Sequence, residues 1–426
     1  MALMPVSDAL SAVLAGAEPL AEEKVGLDAA FHLVLARDLA ALRTQPPEAM
    51  SAMDGYALRA ADADKPKARL KVIGEVAAGR PFDRVVGPGE TARIFTGGVV
   101  PEGADAVVIQ EDTIAEDGHV VITEPAIKGR HIRPAGVDFH QGMVLLQAGR
   151  RLSDRDLSLA ASMNHPALPV RRRPKVALLA TGDELVMPGS TPGPGQIVYS
   201  NGYALRALVR SEGAEAIDLG IAADTLEATV AGIRRAREAA ADILVTTGGA
   251  SVGDHDLVKQ ALEAEGVEMA FWKIAMRPGK PMMHGRLAGM RVIGLPGNPV
   301  SSYVCAILFL VPLIRSLLGR EPQLPRETAL LGRDLGANDS REDYLRAQLD
   351  KRADGTLIAT PVTQQDSSLL GNLALSQALV IRPAFAPKAS AGSPCEILRL
   401  PLRADFPGKS RSVHHIFGIA EHTSNI

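Results

Sequence analysis

One stretch of the chain constrains the fold more than any other: residues 241–256, which read ADILVTTGGASVGDHD. The run from Ile243 to Thr247 is short, apolar and β-branched, which is typical of a strand buried on both faces. Gly248 and Gly249 interrupt this run, and a polar segment follows before helical periodicity resumes at Leu257. Strand, glycine turn, polar loop and helix make half of a βαβ unit, and open parallel sheets bind ligands at the carboxyl ends of their strands. Glycines there let backbone N–H groups approach an anion.

The composition indicates a soluble enzyme that acts on small molecules. A chain of 426 residues, 46% apolar and 22% charged, suggests several domains, and a net charge of −3 argues against a nucleic-acid partner. Two cysteines, Cys305 and Cys395, cannot form a disulfide framework, and Cys305 lies in an apolar run that suits a core residue. No basic residue precedes Lys24, and the longest apolar run, 304–314, is shorter than the roughly 20 residues of a membrane span. We therefore expect a cytoplasmic location and no membrane contact.

The first part of the chain has a helical texture. Residues 1–45 are predicted to be helical, with Ser7 and Asp8 as caps of an alanine- and leucine-rich stretch. A second amphipathic helix is predicted over 27–42, before a pair of prolines. Helices this apolar need a partner surface, either elsewhere in the chain or on a second subunit.

The texture then changes to short β-rich runs separated by Gly, Pro and Asp turns. Residues 46–146 are therefore predicted to form an all-β domain. A further helix, with Ser153 as its cap, lies in residues 147–173. This segment is predicted to rejoin residues 1–45 in a helical linker and dimerisation region, which the β domain interrupts as an insertion.

The remaining chain predicts two further domains. Residues 174–320 alternate strands with helices and read as a doubly wound α/β domain. Residues 321–406 return to a β texture, which predicts a small C-terminal β-barrel. Residues 407–426 have no periodicity and are predicted to be a disordered or loose tail. The fold class is thus multi-domain, α/β plus β.

Four loops of the α/β domain are rich in glycines, hydroxyls, carboxylates and cations. Such groups suit a phosphate and a Mg²⁺ ion that bridges phosphates. Because turn chemistry and helix capping explain any one loop equally well, the argument for an anion site depends on all four occurring in one domain. The residues are Thr181, Gly182, Asp183 and Glu184 in ATGDEL; Gly248, Gly249, Ser251, Gly253 and Asp256 in TTGGASVGDHD; Arg277 and Lys280 in RPGKP; and Pro296, Asn298 (a candidate helix cap) and Pro299 in LPGNPVSS.

Two common nucleotide motifs are missing from the sequence. No segment matches G-x-x-x-x-G-K-[ST], which disfavours a P-loop ATPase. No G-x-G-x-x-G follows the first strand of the α/β domain, which disfavours a nicotinamide dehydrogenase.

The β domain also carries two unusual loops, SAMDGYAL and IFTGGVVPEGADAVV. From spacing alone, Asp54 before Gly55 is as well explained by turn formation as by function. The same holds for Thr96 and the two glycines that follow it.

Six motifs in this order carry a resemblance: SAMDGYAL, IFTGGVVPEGADAVV, ATGDEL, TTGGASVGDHD, FWKIAMRPGKP and GLPGNPVSS. Together they resemble the molybdopterin molybdenumtransferases of MoeA type, which are similar to the C-terminal part of gephyrin. The resemblance extends to about residue 405. It implies an elongated homodimer with composite active sites. The implied reaction inserts molybdate into adenylylated molybdopterin, with Mg²⁺-dependent release of AMP.

The resemblance also assigns roles to individual positions. It implies that the β-domain residues face the α/β domain of the other subunit, that carboxylates hold Mg²⁺ and orient the pterin, and that cations with a serine bind molybdate. The β-domain residues are Asp54, Thr96 and Asp138; the metal ligands are Glu184, Asp224 and Asp256; the cationic segment is Lys273, Arg277 and Lys280; the proline loop has Pro296 and Pro299; and the oxyanion contacts are Arg346 with Ser367 or Ser368.

Three positions depart from the family pattern. Arg277 stands where lysine is common, and its planar fork differs in geometry from an ammonium group. Val137 and Ala223 stand where acidic residues often precede Asp138 and Asp224. These changes leave fewer carboxylates for the metal, and the exact ligands stay open.

Other functions compete with the transferase. The α/β domain also resembles the molybdopterin adenylyltransferase and the competence-damage proteins, but these single-domain relatives lack the SAMDGYAL domain. A molybdopterin-binding scaffold or carrier without transferase activity is the main alternative, and tungstate is an alternative to molybdate. The adenylyltransferase and acceptor molybdoenzymes are candidate partners.

Overall fold

The computed structural model describes residues 3–248, 257–271 and 273–401. The chain forms two compact units. The first comprises Met1–Ala17, Pro174–Ser316 and Glu321–Ile426, and the second comprises Glu18–Arg173 and Leu317–Arg320. The predicted tail, 407–426, lies outside the described residues.

The N-terminal helix, α1 (Val6–Leu14), belongs to the first unit. Its N-cap residue is Pro5, and the Ser7 hydroxyl donates to the Asp8 carboxylate inside the helix. The prediction of Ser7 and Asp8 as caps is therefore wrong by two to three positions. Proline suits this position because its missing N–H has no acceptor at a helix start.

The second unit contains twelve strands, β1–β12, one α-helix, α2, and short 3₁₀ turns. The strands are β1 (Glu22–Gly26), β2 (Leu39–Ala40), β3 (Met50–Ser51), β4 (Gly55–Leu58), β5 (Ala68–Val76), β6 (Glu90–Ile94), β7 (Ala106–Ile109), β8 (Thr113–Glu116), β9 (His119–Ile122), β10 (Ile132–Arg133), β11 (Val144–Leu146) and β12 (Ala167–Arg171), and α2 is Asp154–Ser162.

The helix predicted over 27–42 is wrong. The structure has a 3₁₀ turn at Leu27–Ala29, a left-handed residue at His32 and extended backbone beyond it. Leu33 and Leu35 are buried there, and their backbones pair with the segment around Leu152. The prediction failed because apolar residues at this spacing can also be buried by an extended segment. Backbone pairing with a distant segment outweighed the local helix propensity. By contrast, Ser153 caps α2 in a full capping box, as predicted.

The predicted all-β domain is confirmed. Its sheet has the order β7-β4-β6-β5-β9-β8, and β4 is buried along its whole length. Gly55 opens β4 because a Cβ atom there would lie 1.9 Å from the Val108 carbonyl oxygen. This close approach leaves Asp54 at the point where the strand begins.

The α/β and barrel parts of the first unit contain the remaining strands and helices. The strands are β13 (Lys175–Thr181), β14 (Leu185–Val186), β15 (Ile197–Val198), β16 (Glu215–Ala222), β17 (Ile243–Thr247), β18 (Glu268–Phe271), β19 (Met276–Arg277), β20 (Met283–Leu287), β21 (Met290–Leu295), β22 (Arg326–Leu331), β23 (Glu342–Lys351), β24 (Leu357–Pro361), β25 (Ala378–Arg382) and β26 (Pro394–Arg399). The helices are α3 (Asn201–Ser211), α4 (Leu226–Glu238), α5 (Leu257–Ala264), α6 (Pro299–Cys305), α7 (Val311–Leu317) and α8 (Leu370–Leu375).

The α/β sheet has the order β16-β13-β17-β21-β20-β18. Its first four strands are parallel, β20 runs antiparallel to β21, and the edge strand β18 pairs antiparallel with β20 and so runs in the direction of the first four. Every residue of β17 is buried, as the opening stretch of the sequence predicted. The antiparallel strand β20 was missed, because its Met-His-Gly sequence lacks a β-branched run.

The C-terminal strands close into a five-stranded barrel in the order β23-β24-β22-β26-β25, with β25 pairing back to β23. The two residues of β19, which precede β20 in the chain, extend the barrel by pairing in parallel with β23. The predicted α/β domain, inserted β domain and C-terminal barrel are confirmed. The region predicted as helical, 1–45 with 147–173, contains strands β1, β2 and β12 besides α1 and α2.

In the described part of the chain, one helix is long and apolar enough to cross a membrane by length and composition. This helix, Pro299–Leu317, joins α6 and α7 through a π-helical turn at Ala306–Leu310, and 78% of its apolar window is buried in the protein. The π turn lies just before Pro312, which lacks the N–H that a regular helix would donate to Leu308. Its burial is that of a core helix.

Candidate active site in the α/β domain

A cleft of about 590 Å³ lies at the carboxyl ends of β13, β17 and β21, which are neighbours in the sheet. Because these strands are parallel, the loops that follow them meet at one edge, where such sheets bind ligands. The lining residues come from six chain segments: Thr181, Glu184 and Leu185; Ile197, Val198, Tyr199, Ser200 and Asn201; Thr247 and Gly248; Pro281; Pro296, Gly297, Asn298 and Pro299; and Ser368. Six predicted site residues thus lie in one cleft.

Thr181 and Gly248 form the floor where β13 and β17 end. The Thr181 side chain is buried, and its hydroxyl has no hydrogen-bond partner within the described part of the chain. Gly248 has a φ of +92°, and a Cβ atom there would lie 2.3 Å from the Thr181 carbonyl oxygen, so only glycine fits. A buried hydroxyl without a partner costs about 1–3 kcal/mol, and a polar group bound in the cleft would offset that cost.

Sequence reasoning missed the segment from Ile197 to Asn201. Ser200 is the N-cap residue of the 11-residue helix α3 and makes no side-chain cap bond, and Ser200 and Asn201 place the start of this helix on the cleft wall. The Asn201 side chain donates to the Gly297 carbonyl over 2.7 Å and ties the helix start to the proline loop. The Ser-Asn pair before an amphipathic run was the available signal. Ile197 and Val198 are exposed apolar residues and give this wall an apolar face.

Asp183 and Asp224 are joined by two hydrogen bonds, each from the backbone N–H of one residue to the side-chain carboxylate of the other. The Asp183 side chain accepts from the Asp224 N–H at 3.0 Å, and the Asp224 side chain accepts from the Asp183 N–H at 3.3 Å. The loop after β13 is thereby fixed to the loop after β16. Glu184 lines the cleft, and its carboxylate folds over Gly182, where a Cβ atom would lie 2.4 Å from it.

Carboxylate oxygens of this kind fit a hard cation such as Mg²⁺. Within residues 3–248, 257–271 and 273–401, no cluster of three His, Cys, Asp or Glu side chains is arranged to hold a metal ion. The third predicted ligand, Asp256, lies outside the described residues, together with Gly249, Ser251 and Gly253. The complete metal site therefore stays a prediction.

A loop of the barrel completes one side of the cleft. Ser367 accepts a hydrogen bond from the Asn298 amide at 2.8 Å, and its carbonyl accepts from the Val300 N–H at 3.1 Å. Asn298 occupies the N-cap position of α6 but makes no side-chain cap bond, so Ser367 supplies the acceptor instead. Ser368 lies next to it on the cleft wall.

The two predicted arginines, Arg277 and Arg346, have protein partners. Arg277 lies beside the cis bond to Pro278, and its guanidinium forms ion pairs with Asp343 and, at 3.3 Å, with Asp339. The hydrogen bond to Asp343 raises the pKa of Arg277, and Arg341 and Arg277 hold the pKa of Asp339 at about 2. Arg277 thus joins two barrel carboxylates.

Arg346 is the most deeply buried of the predicted cations, with 1% of the residue exposed. Its guanidinium donates to the side chain of Gln365 and to the carbonyls of Leu369 and Gln364. Burial lowers the pKa of Arg346, and the nearby Asp366 carboxylate raises it. Lys273, Arg277, Lys280 and Arg346 are not among the residues that line the cleft, and their anion-binding roles stay predictions.

In the second unit, Asp54 and Thr96 come together. One Asp54 oxygen accepts from the Thr96 N–H at 2.7 Å and from the Thr96 hydroxyl at 2.8 Å. These bonds, with the nearby Arg93, hold the pKa of Asp54 below its usual value. The predicted third member, Asp138, is exposed on a separate loop.

Comparisons with known proteins place the whole chain. Three family models match in order: the MoeA N-terminal region (domain I and II) over residues 4–164, a probable molybdopterin binding domain over 177–316, and the MoeA C-terminal region (domain IV) over 328–400. A molybdopterin molybdenumtransferase of Haemophilus influenzae is 35% identical over 377 residues, covering 88% of this chain and 93% of that protein. The chain belongs to the molybdopterin molybdenumtransferase family.

Further members of the family agree in length and fold. A molybdopterin molybdenumtransferase of Nostoc is 37% identical over 89% of each chain. A molybdopterin biosynthesis MoeA protein from Pyrococcus horikosii, known as a crystal structure, superposes with a TM-score of 0.82 at 32% identity, covering 93% of this chain and 99% of that one. The resemblance drawn from the six motifs is confirmed.

Proposed function

We propose that this chain is the transferase of molybdenum cofactor biosynthesis that inserts molybdate into adenylylated molybdopterin and releases AMP with Mg²⁺. The observation that carries the proposal is the cleft at the ends of β13, β17 and β21, in a chain that matches the three family models in order. Its floor offers the hydroxyl of Thr181 and the glycine turn at Gly248 to an anionic substrate.

The chemistry brings two anions together, a pyrophosphate and an oxyanion, so their repulsion must be screened. Thr181, Ser368 and the N-terminus of α3 surround the cleft with hydrogen-bond donors suited to phosphate oxygens. Glu184 and Asp224 are the described carboxylates that would hold Mg²⁺, which supplies charge neutralisation when bound. Such a reaction depends on positioning and charge stabilisation rather than on a protein nucleophile.

The molybdate subsite is assigned to Lys273, Arg277, Arg346 and the serine of the barrel loop. Ser368 lies on the cleft wall, whereas Arg277 and Arg346 are bonded to protein groups in this conformation. The proposal therefore requires Arg277, whose side chain is 46% exposed, to exchange Asp339 for the anion. This exchange costs little, since exposed ion pairs contribute about 0–1 kcal/mol.

The active unit is proposed to be a homodimer in the cytoplasm, in which Asp54, Thr96 and Asp138 of one subunit serve the cleft of the other. The orientation of Asp54 by two bonds from Thr96 supports a role that needs a fixed, ionised carboxylate. The molybdopterin adenylyltransferase would supply the substrate, and acceptor molybdoenzymes would take the product.

The test gives the purified protein adenylylated molybdopterin, Mg²⁺ and molybdate and follows AMP release. Molybdate-dependent AMP release is expected. Its loss in Asp224→Asn but not in Glu227→Gln, an exposed acid on the adjacent helix, would support a role for the paired loops after β13 and β16, which carry Asp183, Glu184 and Asp224. Binding of the nucleotide without any AMP release would instead support the carrier. Mixing Asp54→Ala with Asp224→Ala subunits restores activity if the site is shared between subunits.

A further inference from the structure

Gln365 lies in the barrel loop 362–369, which joins β24 to α8, and its side chain bonds the loop to β23. Its amide oxygen accepts from the N–H and from the Nε of Arg346, at 3.0 and 3.2 Å. Its amide nitrogen donates to the carbonyls of Arg346 and Val362, at 3.0 and 2.9 Å. All four hydrogen bonds that a primary amide makes are therefore used within the protein.

The position of these bonds explains their function. Strand β24 ends at Pro361, which pairs with Ala347 on β23. Beyond it the Val362 N–H still donates to the Arg346 carbonyl at 2.9 Å, whereas the Arg346 N–H donates to the Gln365 side chain instead of a strand carbonyl. The Gln365 side chain supplies a peptide-like donor and acceptor to that backbone. It thus continues the ladder where the strand stops and turns the loop away toward the α/β domain.

The tip of the loop carries the two serines. Asp366 accepts from the N–H and hydroxyl of Ser368, at 2.8 and 2.6 Å, which closes a tight turn. Ser367 makes the two bonds to Asn298 and Val300, and Ser368 lines the cleft. Gln365 precedes this turn by one residue and is not among the residues that line the cleft.

We propose that Gln365 is a positioning residue, which presents Ser367 and Ser368 to the oxyanion that the cleft binds. The inference rests on the proposed function for the identity of that oxyanion, molybdate. Gln365 acts through the loop, without touching the substrate.

The decisive variant is Gln365→Met, which keeps the side-chain length and removes all four hydrogen bonds. The KM for molybdate is expected to rise about tenfold with kcat little changed, the loss typical of misplaced donors to a charged group. Gln364→Ala is the matched control, because the bonds of Gln364 to Arg346 and Asn372 use its backbone carbonyl. This neighbouring variant should keep the wild-type KM.

A double-mutant cycle separates positioning from a merely structural role. If Gln365 acts through the serine that lines the cleft, Gln365→Met combined with Ser368→Ala raises the KM no further than the worse single variant, because coupled residues are not additive. Additive effects, or a wild-type KM in Gln365→Met, overturn the inference.

Amide hydrogen exchange tests the same inference without catalysis. The N–H groups of Ser368 and Val300 should exchange faster than in the wild type in Gln365→Met, and at the wild-type rate in Gln364→Ala. Failure of wild-type protein to release AMP would reject the proposed function alone, and the exchange result would still decide whether Gln365 positions the loop. Wild-type exchange rates in Gln365→Met would reject the positioning role of Gln365.

Discussion

The floor of the cleft and the arginines of the barrel side are both rich in polar groups, but they differ in whether the protein satisfies them. Thr181 keeps a buried hydroxyl without a partner in the described chain, beside a glycine that admits no side chain. Arg277 and Arg346, which the sequence marks as anion ligands, are bonded to carboxylates, carbonyls and an amide. Residue type alone therefore does not identify a ligand group, whereas unsatisfied hydrogen-bonding capacity does.

The largest effect is expected from Gly248→Ala, which tests the floor of the cleft. The new Cβ would meet the Thr181 carbonyl at 2.3 Å in a backbone conformation with φ at +92°. AMP release should fall on the order of 100-fold as the turn shifts, since strain and clash together exceed about 3 kcal/mol.

Gly189→Ala is the matched control for this substitution. Gly189 has a φ of +94°, but a Cβ atom added there would have no other atom within 4 Å. Backbone strain without a clash should leave most of the activity. Equal losses in the two variants would show that strain alone, rather than contact with Thr181, explains the requirement for glycine.

Arg346→Leu is expected to destabilise the protein by about 3–5 kcal/mol, because it leaves the acceptors of a buried charge unpaired. Arg277→Leu should cost less, about 1–3 kcal/mol, because that side chain is 46% exposed but its removal leaves the buried Asp343 carboxylate without its ion-pair partner. Urea unfolding measures both. Equal stability of the two variants would remove the distinction drawn between the structural arginine and the exchangeable one.

The buried His284 is expected to make the stability of the folded protein depend on pH. It is a buried residue of β20, opposite Ile293 of β21 and near Arg291 and Arg286, and burial lowers its pKa from 6.5 to about 4. As the pH falls, the unfolded chain protonates His284 near pH 6.5, before the folded protein does. The free energy of unfolding is therefore highest above pH 6.5 and falls by about 3 kcal/mol as the pH drops toward 4. Unfolding free energies across pH 4–7 should lose this slope in His284→Asn. A persistent slope would assign it to other groups.

The smallest change in stability is expected from Thr181→Val. Removing a buried hydroxyl that has no partner among the described residues should leave stability unchanged or raise it by up to about 1 kcal/mol. The KM for adenylylated molybdopterin should nevertheless rise several-fold. Thr246→Val is the control, since Thr246 is an equally buried hydroxyl without a described partner that does not line the cleft. A KM effect in both variants would contradict a direct contact by Thr181.

Much of the cleft was predictable because its determinants are local. A buried strand followed by a glycine and a polar loop predicts a ligand-binding loop at the carboxyl end of a parallel strand. The local sequence was therefore enough to find five of the cleft residues, Thr181, Glu184, Gly248, Pro296 and Pro299. The segment from Ile197 to Asn201 was missed because its role depends on which strand ends it faces. Asp256 and its neighbours lie outside the described residues, so their predicted roles stay untested.

The sequence by itself determined the family and the fold class, because six motifs and the alternation of strands and helices are each encoded within a few residues. Only the tertiary structure decided that residues 27–42 are not a regular helix, that Arg346 lies beneath a loop, and that Gln365 replaces a strand partner. These outcomes depend on pairing with segments distant in the chain. Local propensity contributes tenths of a kcal/mol per residue, and burial with satisfied hydrogen bonds contributes more, so distant partners prevail where the two disagree.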